Sequence, residues 1–253
     1  MMAIITLLSD YGTTDSYVGE MKGVLLSLAP GATLVDLTHE IAPGDVAAAA
    51  YVLGRAWSHF PAGTVHLAVV DAGPGSSRAA LAFRTREHCF VGPDSGLFTV
   101  LLRGAEIEAV SLPTPVAASP TFPGRDLFAP VAAALARGEA LLSLGERFAG
   151  IPRRMSGTMP HYEGKVVVGE VIYVDRFGNL VTNLTAEFVP AYAVMEAESL
   201  AIGPLRTTFG DVPPGSLIAY IGSGGQVEIA VRDGSAARRL GLGVGGRVRA
   251  RLG

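Results

Sequence analysis

Two kinds of apolar stretch alternate up to about residue 150, and beyond it only one kind persists. "AIITLLSD", "ATLVDLTH" and "TVHLAVVD" are short apolar runs closed by a polar residue, as strands are. Between them "SYVGEMKGVLLSLAP" and "GDVAAAAYVLGRAWSHF" carry apolar residues at helical spacing. The first stops at Pro30 and Gly31, and the second has Asp45 near its start, where the helix dipole favours an acid. "AALAFRTR", "HCFVGPD" and "EIEAVSL" read as further strands, "SGLFTVLL" as a short helix and "RDLFAPVAAALARGE" as a longer one. Strands alternating with helices predict an α/β N-terminal domain over 1–150, with a mainly parallel sheet covered on both faces.

"GIPRRMSGTMPHYEGK" is polar, irregular and rich in Gly and Pro, and reads as a linker over 151–163. Past it "KVVVGEVIYVD", "LVTNL", "AVMEAESLAIG", "SLIAYIG", "QVEIAV" and "RVRARL" read as short strands separated by turns, with "SAARRLGLG" a short helix at most. The second domain, 164–253, is therefore a small all-β, barrel-like unit.

The balance of charge narrows the partners. A net charge of −3 gives no electrostatic case for nucleic acid or an anionic membrane. The opening "MMAIITLLSDYG" has no basic region and soon meets Asp10, so no secretory signal is expected, and no apolar run is long enough for a bilayer. The single cysteine, Cys89, leaves no intramolecular disulfide and no cysteine metal cluster, fits a reducing cytoplasm, and lies in an apolar run where packing is its expected role.

In α/β sheets ligands gather at the carboxyl ends of the strands. Asp10, Asp71 and Asp94 fall at such ends, each followed by glycine within a few residues. Any one of them could cap the next turn; three together point to a site. The loop "VVDAGPGSSR" lacks both glycine-rich phosphate signatures, and Asp71 would repel a phosphate. The three aspartates could hold Mg²⁺, though no histidine pair or D-x-D spacing supports a metal. The better reading sets an acid, Asp71, and a base, Arg78, around a polar small molecule or water. In the second domain "VDRFGNLVTN" offers a carboxylate (Asp175), an aromatic face (Phe177) and an amide (Asn179), enough to stack on and read a planar heterocycle. It is also ordinary β-turn chemistry. "GSGGQVEIAV" lets backbone approach a ligand at Gly222 to Gly225, with Ser223 and Glu228 able to hydrogen-bond, and equally reads as a hairpin loop.

"LLSDYGTTDSYVGEMKG", "VVDAGPGSSR", "GPDSGL", "FPGRDLFAP", "VDRFGNLVTN" and "SGGQVEIAV", in this order, resemble the S-adenosylmethionine (SAM) hydroxide adenosyltransferases, or adenosine-forming SAM hydrolases, relatives of the nucleophilic fluorinating and chlorinating enzymes. The resemblance covers almost the whole chain. It implies a homotrimer that clamps SAM between the N-domain of one subunit and the C-domain of its neighbour, and splits it with water into adenosine and methionine. Asp71 and Arg78 would be two members of the family's Asp-Arg-His set. Asp10 would grip the ribose hydroxyls, and Asn179, Ser223, Glu228 and the backbone near Val231 would read the adenine, with Asp175 and Phe177 close by. No metal or redox cofactor is required. The sequence departs from the family where "FPGRD" replaces F-H-G-R-D: the third catalytic residue is Pro123, which has no side-chain donor or acceptor. The V-D-P-G-V-G loop is also altered, at Ala72 and Pro74, and the insertion associated with fluorination is missing. Either Asp71 and Arg78 suffice, or His161 fills the gap, or the protein binds SAM or adenosine with little turnover. His66 sits in a strand and reads as packing; His39, His59 and His88 carry no distinctive pattern.

Overall fold

A computed structural model describes residues 3–71, 78–85, 87–102, 106–155, 159–198 and 200–253. Their contacts divide the chain into two compact units, Met1–Met155 and Ser156–Gly253.

The first unit runs β1 (Ile4–Ser9), α1 (Tyr17–Leu28), β2 (Thr33–Thr38), α2 (Val46–Ala56), β3 (Val65–Val69), β4 (Ala80–Thr85), β5 (His88–Pro93), β6 (Ile107–Ser111), α3 (Ala129–Ala136) and β7 (Glu146–Arg147). The sheet order is β2-β1-β3-β5-β4-β6-β7. The four strands from β2 to β5 are parallel, and β4, β6 and β7 join antiparallel. Alternation along each strand feeds two cores. Ile5, Leu7, Val65, Leu67, Val91 and Ala82 face α1 and α3, which present Met21, Leu25, Ala129 and Ala132. α1 buries Val18, Met21 and Leu25, the stripe its spacing predicts. α2 lies over β1 and β2 outside that cluster; Asp45 is its N-cap, accepting from Ala48 N–H at 2.9 Å. α3 continues directly from a π-helical turn over Gly124–Phe128.

The α2 face holds a buried polar pair. His66 Nδ1 lies 2.8 Å from Thr6 Oγ1 and its Nε2 3.1 Å from His88 Nδ1, with the ring stacked on Phe90. Burial pushes His66 down to about 3, and His88 is lowered for the same reason. The sign follows. Above pH about 6.5 both folded and unfolded chains leave the ring neutral; below it the unfolded chain takes up a proton that the folded one refuses until about 3. Between pH 7.5 and 4.5 this group alone is expected to remove about 2–3 kcal/mol of stability. His66→Leu should flatten that acid limb in urea titrations, and an unchanged limb would contradict the assignment.

The second unit runs β8 (His161–Glu163), β9 (Val166–Val174), β10 (Leu180–Thr185), β11 (Val194–Ala197), β12 (Leu200–Arg206), β13 (Leu217–Ile221), β14 (Gln226–Val231), α4 (Ala236–Leu240) and β15 (Arg247–Arg251). The order β10-β14-β13-β12-β11-β15-β9 closes on itself through a β9–β10 pairing, giving a seven-stranded barrel with β8 added at β9. Val167, Val171, Leu180, Met195, Val227, Ile229 and Val248 fill it.

Three local expectations change. "AVMEAESLAIG" is a hairpin of two strands, β11 and β12, paired Ala197↔Leu200. Its alternation runs unbroken through the turn, which Glu198 enters at φ 51° without a glycine. "SGLFTVLL" forms successive turns, because Gly96 at φ +98° and the bond from Thr99 Oγ1 to Gly96 O break the helical start. His161, read as linker, lies on β8, whose three residues are all exposed and so leave no apolar signal. Cys89 is buried, as its apolar run predicts, and among the described residues no helix is long and apolar enough to cross a membrane.

Candidate active site

β1, β3 and β5 are neighbours and parallel, so their carboxyl ends lie side by side. Asp10 follows the first, Asp71 the second and Asp94 the third. The Gly- and Ser-rich loop 72–77 is outside the described residues, but both its ends are pinned. Ser95 Oγ–H donates to Val70 O at 2.9 Å, and Asp94 N–H donates to Ala79 O at 2.9 Å. Between these anchors the Arg78 guanidinium donates to the Asp71 carboxylate, with both side chains about a fifth exposed. The expected acid and base are brought together and stay partly exposed.

Asp10 accepts from Gly44 N–H at 2.8 Å. Burial pushes its carboxyl above the usual range, and the nearby charge of Asp71 adds to this, so the two acids share one field. Asp94 is also pushed up by burial, but its carboxylate accepts from Arg153 N–H at 2.7 Å and serves that turn. Among the described residues no three His, Cys, Asp or Glu side chains gather as metal ligands.

Tyr11 follows Asp10 and was not singled out from the sequence. Burial, then the charge of Asp10, pushes its phenol well above the tyrosine range, while the Gly124 N–H at its oxygen acts the other way. A side chain at 124 would meet Tyr11 Oη at 2.6 Å and Met21 Sδ at 2.9 Å, so it would have to displace the Tyr11 phenol and Met21. Pro123 stands one residue before, at φ −63°, leading into the π-helical turn. Arg125 fixes that turn: it bonds Asp126 at 2.6 and 3.0 Å and Glu20 at 2.8 Å, and lies over the Phe122 ring. The segment carrying Pro123 is thus held against Tyr11, next to Asp10.

In the barrel, the Asp175 carboxylate holds a turn. Oδ1 accepts from Phe177 N–H and Asn179 N–H, and Oδ2 accepts from Asn179 Nδ2 at 2.8 Å. Asn179 is buried with its amide oriented, whereas the Phe177 ring is 74% exposed. β10 and β14 pair Leu180↔Ile229 and Val181↔Glu228, which brings Asn179, Glu228 and Val231 to one end of the same strand pair. Glu228 is buried and accepts from Tyr220 Oη–H at 2.7 Å; a side chain at Gly222 would collide with it. Ser223 is exposed on the β13–β14 hairpin turn, closed by Gly222 N–H to Gln226 O at 2.8 Å. An oriented amide, a carboxylate and an exposed ring are groups able to read a flat, polar-edged heterocycle, while Ser223 lies beside Gln226, at the other end of β14 from Val231.

Two family models match the chain: the SAM hydroxide adenosyltransferase N-terminal domain over residues 5–145 and the C-terminal domain over 169–249. The chain belongs to the SAM hydroxide adenosyltransferase family. A relative from Thermus thermophilus named (R)-S-adenosyl-L-methionine hydrolase is 42% identical over 98% of this chain and 99% of its own. One named fluorinase, from an Actinoplanes species, is 28% identical over 90% of each. The crystal structure of an uncharacterized conserved protein from Thermotoga maritima superposes with a TM-score of 0.90 at 34% identity, covering 98% and 99% of the two chains. Within this family frame, each model falls inside one of the two compact units. Tyr11 and His39 are the site-side residues that sequence reading passed over. The signal for both was position, a polar residue just past a strand end.

Proposed function

We propose that the chain hydrolyses SAM to adenosine and methionine, by attack of water on the ribose C5′. The observation that carries this is the Asp71–Arg78 pair beside Asp10 at adjacent strand ends, in a chain whose full-length relative is named for that hydrolysis. The water oxygen bonds to C5′ as the C5′–S bond breaks, its electron pair passing to sulfur. Methionine leaves as a neutral thioether, so the leaving group needs no acid. Water is the weak partner, and the protein must align it and exclude competing solvent. Asp71 and Arg78 orient that water, and Asp71 accepts its proton. Asp10 holds the ribose hydroxyls. Asn179, Glu228, Ser223 and the Val231 backbone read the adenine, Asp175 orients Asn179, and Phe177 covers the base. The domains are assigned as 1–150 and 164–253, and the working unit as a cytoplasmic homotrimer with SAM held between the N-domain of one subunit and the C-domain of the next. No metal or redox cofactor takes part.

A second reading rests on Pro123, which puts no proton-transferring group beside Tyr11: a SAM or adenosine binder with little turnover. His161, the other residue that could supply such a group, is exposed on β8 with its ring 3.5 Å from Glu163. Incubation with SAM beside a protein-free blank, followed by chromatography, separates the two. Adenosine and methionine above the blank, undiminished by EDTA, are expected. Tight adenosine binding without product would favour the binder, and neither would overturn both readings.

A further inference from the structure

Beneath Asp10 four side chains form a line of hydrogen bonds. Lys22 Nζ donates to Asp36 Oδ2 at 2.6 Å, His39 Nε2 lies 3.1 Å from Asp36 Oδ1, and His39 Nδ1 lies 2.7 Å from Ser9 Oγ. His39 is 3% exposed and Ser9 wholly buried. These are the residue types of a hydrolytic triad in the reverse order: a triad turns Nε2 to the serine and Nδ1 to the acid. A buried Ser9 also meets no substrate, so the line serves another purpose.

Its bonds converge on the turn that carries Asp10. With Asp36 accepting at Nε2–H, the network assigns Nδ1 as the acceptor for the Ser9 hydroxyl. Ser9 Oγ then accepts from Tyr11 N–H, at 3.4 Å. The His39 carbonyl accepts from Gly12 N–H at 2.8 Å, and Gly12 turns the chain at φ +67°. The loop that His39 opens also supplies Gly44 N–H, the donor on the Asp10 carboxylate. Asp10 is thus gripped from both flanks by one segment, 39–44.

We infer that His39 is a positioning residue: through Ser9 and Asp36 it fixes the Ser9–Gly12 turn so that Asp10 is aimed at the hydroxyls of a bound ribose. This rests on the SAM reading above. A residue that only stabilised the fold would affect every ligand alike, whereas one that aims Asp10 affects ligands that carry the ribose diol.

The test is calorimetry on the full chain with adenosine and with 2′,3′-dideoxyadenosine. His39→Gln keeps a donor within reach of Asp36 but offers nothing at the Nδ1 position; His39→Asn keeps an acceptor for Ser9. His39→Gln is expected to weaken adenosine about tenfold, the scale of one lost hydrogen bond to a charged group. Dideoxyadenosine should stay within about twofold, and His39→Asn should recover most of the loss. Asp10→Ala should reproduce the His39→Gln pattern, and Ser9→Ala carries the comparison if His39→Gln fails to fold. Equal weakening of both nucleosides, or unchanged adenosine binding in His39→Gln while Asp10→Ala weakens it, would overturn the inference and leave the SAM reading standing. No adenosine binding by the unaltered protein would overturn the SAM reading, and this inference with it.

Discussion

Asp71→Ala is expected to lower SAM turnover by about 10²- to 10⁴-fold, the usual cost of removing a group that orients or accepts a proton in the reacting pair. The fold should hardly register the change. The Asp71–Arg78 pair is partly exposed, at the mouth of the sheet, where such pairs contribute about 1 kcal/mol or less. The melting temperature should therefore move by no more than about 2–4 °C. The combination is diagnostic: activity lost in a folded protein marks chemistry, whereas activity lost together with a large drop in melting temperature would mark a structural pair. Full activity in Asp71→Ala would remove the carboxylate from the mechanism.

Pro123→His is expected to act in the opposite direction and raise turnover, by about tenfold or more, because an added proton-transferring group commonly brings 10² to 10⁴ when well placed. The backbone accepts the exchange. Pro123 sits at φ −63° and ψ −24°, ordinary helical values for any residue, and leads into a turn held by the Arg125 bonds to Asp126 and Glu20. The cost is the proline's restraint on the unfolded chain, about 0.4–1 kcal/mol. The imidazole would enter beside Gly124, where the Tyr11 phenol already stands next to Asp10. Unchanged or lower turnover in a folded variant would mean that the Asp71–Arg78 pair works without help from this position.

Much of this site was legible because strand physics is local. "AIITLLSD" and "TVHLAVVD" show both their strands and the acids that end them, and parallel packing then brings Asp10 and Asp71 to one edge. The Asp71–Arg78 pairing was likewise readable from one loop. The His39 network was not, since Ser9 and His39 are 30 residues apart and meet only because β1 pairs with β2. A register shift between Leu7 and Leu8, which skips from Asp36 to Thr38, accompanies their approach, and no sequence pattern announces it. In the second unit short alternating strands announced an all-β domain. Barrel closure through β9 and β10 depends on strand order, which alternation does not encode, and the β11–β12 hairpin was hidden because its turn uses Glu198 and not glycine. Asp175 read as one of a ligand-facing set, and what the sequence does not show is that its carboxylate also holds the turn that aims Asn179.

Attack by water at C5′ is tested most directly by running the reaction in ¹⁸O-water and weighing both products by mass spectrometry. One ¹⁸O in the 5′-hydroxyl of adenosine and none in methionine is the expected result. Unlabelled adenosine, or label in homoserine with methylthioadenosine as its partner, would contradict it.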